Sequence, residues 1–353
     1  MIPAVDILED VPLAPHTTLE LGGDARFFLR ATDERTVRDA LRWAARRGVR
    51  VGILGGGSNL VVDDAGFDGL VVEMALRGVE EREEGDRVLV TAAAGEEWDP
   101  FVERTVAAGW QGLECLGGIP GRVGATPIQN VGAYGQEVAE TITSVRVLDR
   151  DTLAFGSLAP QECAFAYRDS YFKRNPERYV VLAVTFALRP DAPPAVRYAE
   201  LARALEDVEA PSSSTVRETV IALRRRKSMV LDFADENHRS AGSFFTNPVM
   251  SADEARRVVD RAVADGLVER AEDVPRWDVG DDRVKLAAGW LVERAGMHKG
   301  TRHGRVGIST KHALALVHHG GGTTEELLEL AARVEAAVRD RFGVTLQIEP
   351  TRW

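Results

Sequence analysis

From residue 33 to residue 48, apolar side chains return every three or four positions: Val37, Ala40, Leu41 and Ala44 share one face. That spacing predicts a helix, capped by Thr32 or Asp33 and ended by Gly48. Before it, residues 17–30 (TTLELGGDARFFLR) predict a short strand, a Gly-Gly-Asp turn and a second strand. After it, residues 49–54 form a largely apolar run and predict a strand. Strand patterns recur over 70–96 (clearest at 87–93), 144–149, 179–188, 313–317 and 344–348. Helical patterns cover 98–108, 215–229 and 252–265. In 285–295, Leu286, Ala287, Trp290 and Leu291 fall on one face. Thr323 and Glu326 form a capping box that opens a helix reaching about Phe342.

Two stretches fit neither period. Residues 112–135 (GLECLGGIPGRVGATPIQNVGAYG) contain seven Gly and two Pro, which exclude a long helix or a central strand. Leu113, Leu116, Ile119, Val123, Ile128, Val131 and Tyr134 recur through them, so the stretch is no flexible linker. A long loop with its own buried anchors is either a functional loop or a tight crossover in the core. The second stretch is Gly55-Gly56-Gly57-Ser58-Asn59, directly after a predicted strand. Leu60 stands where a dinucleotide fingerprint needs its third glycine, and a strand-like LVVDDAG follows. The turn is therefore either a backbone-donor nest for phosphate or a tight hairpin.

At 353 residues the chain is long enough for two or three domains. A net charge of −11 argues against a nucleic-acid scaffold. Cys115 and Cys163 form neither a disulfide framework nor a CxxC site, which suits a reducing compartment. Six of the seven His lie in 238–319 without metal-ligand spacing, so structural histidine is expected and no metal. The N-terminus lacks the basic and apolar regions of a signal peptide, and no run is long enough to span a membrane. Arg224-Arg225-Arg226-Lys227 ends a predicted helix, either as a solvated end or as a diphosphate site. Residues 190–214, with Pro190, Pro193, Pro194 and Pro211, mark a composition shift and a domain junction.

Five motifs stand in one order: LGGGSNLVV at 54–62, IPGRVGATPIQNVGAYG at 119–135, YRDSYFK at 167–173, AGSFFTNP at 241–248 and IEP at 348–350. In order and spacing the chain resembles the UDP-N-acetylenolpyruvoylglucosamine reductase family, longer type with a tyrosine loop, from about residue 17 to 349. The resemblance implies an α+β fold: an FAD-binding half of the p-cresol methylhydroxylase type, made of two α+β subdomains (1–75 and 76–214), and a smaller α+β substrate-binding domain (215–353). It implies non-covalent FAD held by Gly55, Gly56, Gly57, Ser58, Asn59, Leu60, Gly118, Ile119, Gly124, Ala125, Thr126, Asn130, Gly132, Ala133 and Tyr134. It implies NADPH as hydride donor and the UDP-enolpyruvyl sugar as substrate, bound by Tyr167, Tyr198, Lys227 and Asn247. Peptidoglycan precursor synthesis, and with it wall growth, cell shape and division, would be its setting, in a cytoplasmic monomer.

On the same resemblance, Arg168, Ser243 and Glu349 are the catalytic residues. Hydride addition at C3 leaves charge on an enolate, which needs preorganised donors. Arg168 supplies a permanent cation for the carboxylate, Glu349 a second donor if burial keeps it protonated, and Ser243 the proton for C2. Lys227 or Arg226 could assist Ser243. Each residue also has a structural alternative: Arg168 pairing Asp169 or Glu162, Ser243 capping a turn, Glu349 pairing Arg352. A competing enzyme reading is an oxidase with tethered flavin, for which His16 is placed. A non-catalytic flavin- or nucleotide-binding regulator is the reading from another class.

Overall fold

The computed structural model describes residues 6–353. Residues 1–5, part of the N-terminus read above as carrying no signal peptide, lie outside the described residues. The chain divides into two compact units. One takes the N-terminal segment to Pro12, Asp24–Gly57 and Phe67–Leu231; the other takes Leu13–Gly23, Ser58–Gly66 and Asp232–Trp353.

In the first unit, Leu8–Pro12, Asp24–Ala31, Phe67–Met74 and Arg50–Leu54 lie side by side in that order. The last three run parallel, and Leu8–Pro12 is antiparallel to its neighbour. The helix Glu34–Arg47 covers this sheet, burying Val37, Ala40, Leu41 and Ala44 against Leu29, Leu70 and Val72. The Asp33 side chain accepts from the Thr36 N–H, and Gly48 ends the helix at φ +64°. Both signals were present in the sequence.

A second, antiparallel sheet orders Phe155–Leu158, Ile142–Asp149, Tyr179–Pro190, Arg87–Ala93 and Val79–Glu84. Trp98, Phe101 and Phe186 pack as a tilted aromatic trio, with centroids 5.4 to 5.9 Å apart. Burial of each such side chain contributes roughly 1.5–3 kcal/mol. The Trp98 indole N–H donates to the Leu116 carbonyl at 3.0 Å, which pins the start of the glycine-rich loop to this core. The helix Ser213–Arg226 also packs in this unit, burying Val216, Val220 and Leu223 with Leu201, Leu205 and Cys115.

In the second unit, Ser240–Ser243, Ala315–His318, Val306–Ile308 and Arg302–His303 form one sheet, and Val249–Ser251, Arg283–Leu286 and Arg276–Asp278 another. Helices Ala252–Ala264, Ala288–Arg294 and Thr324–Phe342 share its core. The Thr323–Glu326 capping box forms as expected. Helices and mixed sheets together give an α+β architecture. No helix among the described residues is long and apolar enough to cross a membrane.

Three expectations are corrected. Residues 17–21 are not a strand: Glu20 sits at φ +52°, and Leu19 and Leu21 turn into the second unit's core. Residues 344–348 are extended, with Val344 and Leu346 buried, but only Ile348 makes a bridge, to Phe245. The terminal strand is instead Thr351–Arg352, parallel to Leu60–Val61. The amphipathic run 285–295 is a strand end followed by the helix Ala288–Arg294.

Candidate active site

In the first unit the two glycine-rich stretches meet. A Cβ on Gly56 would stand 2.8 Å from the Gly121 Cα, and one on Gly55 3.8 Å from the Arg122 side chain. Among the described residues, no protein acceptor is recorded for the N–H of Gly56 or Gly57. Backbone N–H groups on glycines that pack this closely against a second loop are the kind of donor a diphosphate needs.

The longer loop spends much of its own backbone. Gly118 N–H donates to Asp99 at 2.7 Å, Gly124 N–H to the Ala94 carbonyl at 2.9 Å, and Ala125 N–H to the Arg122 carbonyl at 3.1 Å. The Thr126 hydroxyl donates to the Val123 carbonyl at 2.8 Å. Asn130 is 1% exposed; its amide donates to Glu137 at 2.8 Å and to the Ala166 carbonyl at 2.9 Å, and its carbonyl accepts from Ala139 N–H. Its side chain therefore holds the loop. Ile119 packs on the core's edge, and Gly132 and Ala133 pair with Glu137 and Gln136. The loop offers shape and close approach more than free donors.

YRDSYFK is a brace. Tyr167 and Arg168 are the centre of a tight turn closed by Ala166 and Asp169, and Arg168 takes φ +53°. Asp169 pairs with Arg174, and Glu162 caps its own short helix at the Ala159 N–H. Ser170, fully buried, donates to the Ile128 carbonyl at 2.7 Å and caps Lys173 N–H. The Lys173 ammonium bridges Gln129 at 3.0 Å and the Arg168 carbonyl at 2.9 Å. The Arg168 guanidinium donates to the Gly132 carbonyl and lies 5.3 Å from the Tyr167 ring centroid. A Cβ at Gly132 would come 3.0 Å from that guanidinium. The neutral Ser170 bonds are worth about 1 kcal/mol net each and those made by the Lys173 and Arg168 cations about 1.5–3 kcal/mol, and together they fix where one cation points.

Beside it lies a cluster that the sequence reading only half identified. Tyr198 packs edge-on against Tyr134, with centroids 5.5 Å apart, and the Lys227 ammonium stands 5.9 Å from the Tyr134 ring. Lys227 also pairs with Glu200 at 2.6 Å. Burial pushes the Tyr134 hydroxyl up to about 12, so it stays a neutral donor. Arg224 was grouped with three neighbours as one helix end. Arg225 and Arg226 are exposed, whereas the Arg224 Nε is buried with no hydrogen-bond partner in the protein. Burial brings the Arg224 guanidinium down to about 10; Tyr134 and Asp99 oppose this, and the Arg168 charge adds to it. It remains a cation at neutral pH, with one donor awaiting an acceptor. Arg217, two turns earlier, donates to Asp99 at 2.8 Å beneath Gly117. The seven-residue spacing of Arg217 and Arg224 was the signal that both share the helix face turned toward the loop.

The second unit brings Ser243 and Glu349 together. A bulge separates the pairs Ser240–Val317 and Ser243–Ala315, and Gly242 supplies φ +72° within it. Phe244 N–H donates to the Leu314 carbonyl at 2.7 Å, and Glu349 N–H donates to the Phe244 carbonyl at 2.9 Å. Glu349 is thus registered beside Ser243, and both are half-buried. Arg352 pairs with Asp63 at 2.7 Å. Ser58, Asn59 and Leu60 belong to this unit: the Asn59 carbonyl accepts from Thr351 N–H at 3.0 Å, and Leu60 pairs with Thr351. The Asn247 side-chain Oδ1 accepts from Ala288 N–H at 2.9 Å. Burial pushes the Cys115 and Cys163 thiols up to about 12, so neither is a nucleophile at neutral pH.

Comparison with known proteins places the chain in a family. Residues 25–153 match the FAD binding domain family, and residues 234–353 match the C-terminal domain of UDP-N-acetylenolpyruvoylglucosamine reductase. A UDP-N-acetylenolpyruvoylglucosamine reductase of Thermobifida fusca is 51% identical over 350 residues, covering 97% of this chain and 96% of its own. One from Streptomyces coelicolor is 49% identical over 353 residues, covering 98% and 90%. The crystal structure of the Thermus caldophilus reductase has the same fold, with a TM-score of 0.66, 24% identity and 98% of each chain covered. The chain belongs to the UDP-N-acetylenolpyruvoylglucosamine reductase family.

Proposed function

We propose that this chain reduces the enolpyruvyl ether of UDP-N-acetylenolpyruvoylglucosamine to UDP-N-acetylmuramate, using FAD and taking its hydride from NADPH. Family membership and the FAD-binding match support the reading. The sheets spanning residues 8–74 and 79–190 serve as its two FAD-binding subdomains, and the C-terminal part recognises substrate. The observation that carries it is the turn that aims Arg168 beside the unpartnered Arg224 Nε, with Tyr134, Tyr198 and Lys227 close by. Rigid cations next to aromatic rings fit a sugar nucleotide that carries a carboxylate and a diphosphate.

FAD, when bound, would supply two-electron chemistry between NADPH and substrate carbon C3. The protein does the rest. Gly56 and Gly57 offer backbone donors to the cofactor's diphosphate. Arg168 receives the substrate carboxylate and stabilises the enolate charge that grows there. Glu349, protonated at that stage, donates a second hydrogen bond. Ser243 gives its proton to C2, and a proton must then return to the Ser243 oxygen. Lys227 and Arg224 hold the diphosphate, with Asn247 as a further contact. Electrostatic stabilisation by a preorganised donor of this kind is worth roughly 3–4 kcal/mol.

The test is turnover of the purified protein with NADPH and the enolpyruvyl sugar nucleotide, read by mass spectrometry. The reading requires a product heavier by two hydrogens and one NADPH consumed per product. NADPH consumption that releases peroxide and leaves the sugar nucleotide unchanged would overturn the substrate, and flavin colour retained after denaturation would point to the oxidase with tethered flavin.

A further inference from the structure

The first unit contains a cavity of about 260 Å³, lined in part by Gly135 and Arg197, the chain neighbours of Tyr134 and Tyr198, that none of the chemistry above uses. Its charged lining is Arg87, Arg189, Arg197 and Glu140. Arg87 opens the strand Arg87–Ala93, and Arg189 lies one residue beyond the recorded pair Leu188–Val88 on the adjoining strand. Two arginines thus stand at the same end of neighbouring strands, where like charges repel. Arg87 has Asp86 at 4.0 Å, and Arg189 makes no ion pair among the described residues. Arg197 pairs with Glu140 at 2.8 Å. The cavity therefore carries three cations and one anion in a chain whose net charge is −11. Gln111 and Thr141 add polar groups to its wall.

We propose that this cavity is an accessory site for a small, multiply charged oxyanion, a phosphomonoester or a polycarboxylate, whose binding is relayed to Tyr198. Guanidinium forks match either group bidentately, and the volume suits a ligand of metabolite size. The relay is short. Arg197 directly precedes Tyr198, and a Cβ on Gly135 would meet the Arg197 Cβ at 3.2 Å and the Tyr198 nitrogen at 3.5 Å. Gly135 in turn follows Tyr134, the ring on which Tyr198 rests. An anion that draws Arg197 from Glu140 moves the backbone carrying one half of that aromatic pair.

The binding arm stands on the cavity alone, and the kinetic arm also rests on the function proposed above. Titration calorimetry of the holoprotein uses inorganic phosphate and, separately, citrate, at constant ionic strength and with saturating UDP to fill the diphosphate part of the substrate site. At least one of the two should bind the wild type and bind Arg189→Gln and Arg87→Gln at least tenfold more weakly, with melting temperatures unchanged. Neither anion binding, or binding that survives both substitutions, overturns the site. The anion that binds identifies the ligand class. In turnover assays, that anion should change KM for the sugar nucleotide at least threefold in the wild type and leave KM of Arg189→Gln unmoved. An unchanged wild-type KM overturns the relay, and absence of any turnover counts against the proposed function instead.

Discussion

The Cα of Gly121 lies 2.8 Å from where a side chain on Gly56 would begin. The two glycines come from separate loops of the first unit, and no alanine Cβ tolerates such an approach to backbone. Gly56→Ala must push the loops apart, at a cost of about 1–3 kcal/mol. If these loops form the cofactor cradle, the cost falls on FAD binding. Purified Gly56→Ala should fold with a normal circular dichroism spectrum yet retain at least tenfold less flavin at equal free FAD. Full flavin content would remove the turn from the cofactor site.

Arg168 is held at the Gly132 carbonyl by a turn that Ser170 and Lys173 brace. Arg168→Lys keeps the charge and loses the fork. Steady-state kinetics should show kcat/KM lowered about 100-fold, as for loss of one preorganised donor. Gln129→Ala and Lys173→Met should act in the same direction and more weakly, since they loosen the turn and leave the guanidinium. Wild-type kinetics for Arg168→Lys would reduce it to a structural arginine.

Glu349 is registered next to Ser243 through the Phe244 carbonyl. If Ser243 delivers the proton, Ser243→Ala should lower kcat by about 10²–10⁴. KM should change little, and reduction by NADPH should remain at wild-type speed. A variant that slows the NADPH step equally would place Ser243 in folding or cofactor binding and not in proton delivery.

The His318 ring bonds at both nitrogens: Nδ1 donates to the Leu19 carbonyl at 2.9 Å and Nε2 accepts from Gly322 N–H at 3.0 Å. Only the neutral ring makes both bonds. Burial, aided by the Arg239 charge, lowers its pKa below the usual 6.5; the Leu19 carbonyl, Glu20 and Glu326 act the other way. The unfolded chain therefore binds the proton more readily than the folded one. The associated stability is complete above about pH 6.5 and is lost as the pH falls toward the folded-state value. Each unit of depression is worth about 1.4 kcal/mol. Melting curves should show a lower Tm at pH 5.5 than at pH 7.5, with a smaller difference in His318→Gln, and the residual due in part to His319, whose pKa is also lowered by burial. An equal difference in both proteins would clear His318.

Sequence pattern located elements where one local signal decided the outcome. Asp33 and Gly48 bound one helix, and Thr323 with Glu326 opened another, because caps act within a single turn. It failed where alternation arose from burial without a ladder. Leu19 and Leu21, like Val344 and Leu346, bury alternate side chains in extended or turning chain that no neighbouring strand pairs. In the site, the glycine loops were legible from composition, whereas the turn that carries Arg168 was not, because Arg168 takes its left-handed φ of +53° without a glycine to announce it. Arg224 was missed because a four-residue basic run looks alike whether all of it is solvated or one member turns inward, and only its seven-residue spacing from Arg217 sets it apart.

Anaerobic stopped-flow absorbance at the flavin band follows both proposed half-reactions in one protein. NADPH is mixed first, and UDP-N-acetylenolpyruvoylglucosamine second. NADPH should bleach the flavin and the enolpyruvyl sugar nucleotide should rapidly restore its colour, with the return slowed in Ser243→Ala and Arg168→Lys. A reduced flavin that the sugar nucleotide leaves bleached would contradict the proposed substrate, and a protein that binds no flavin would contradict the cradle as well.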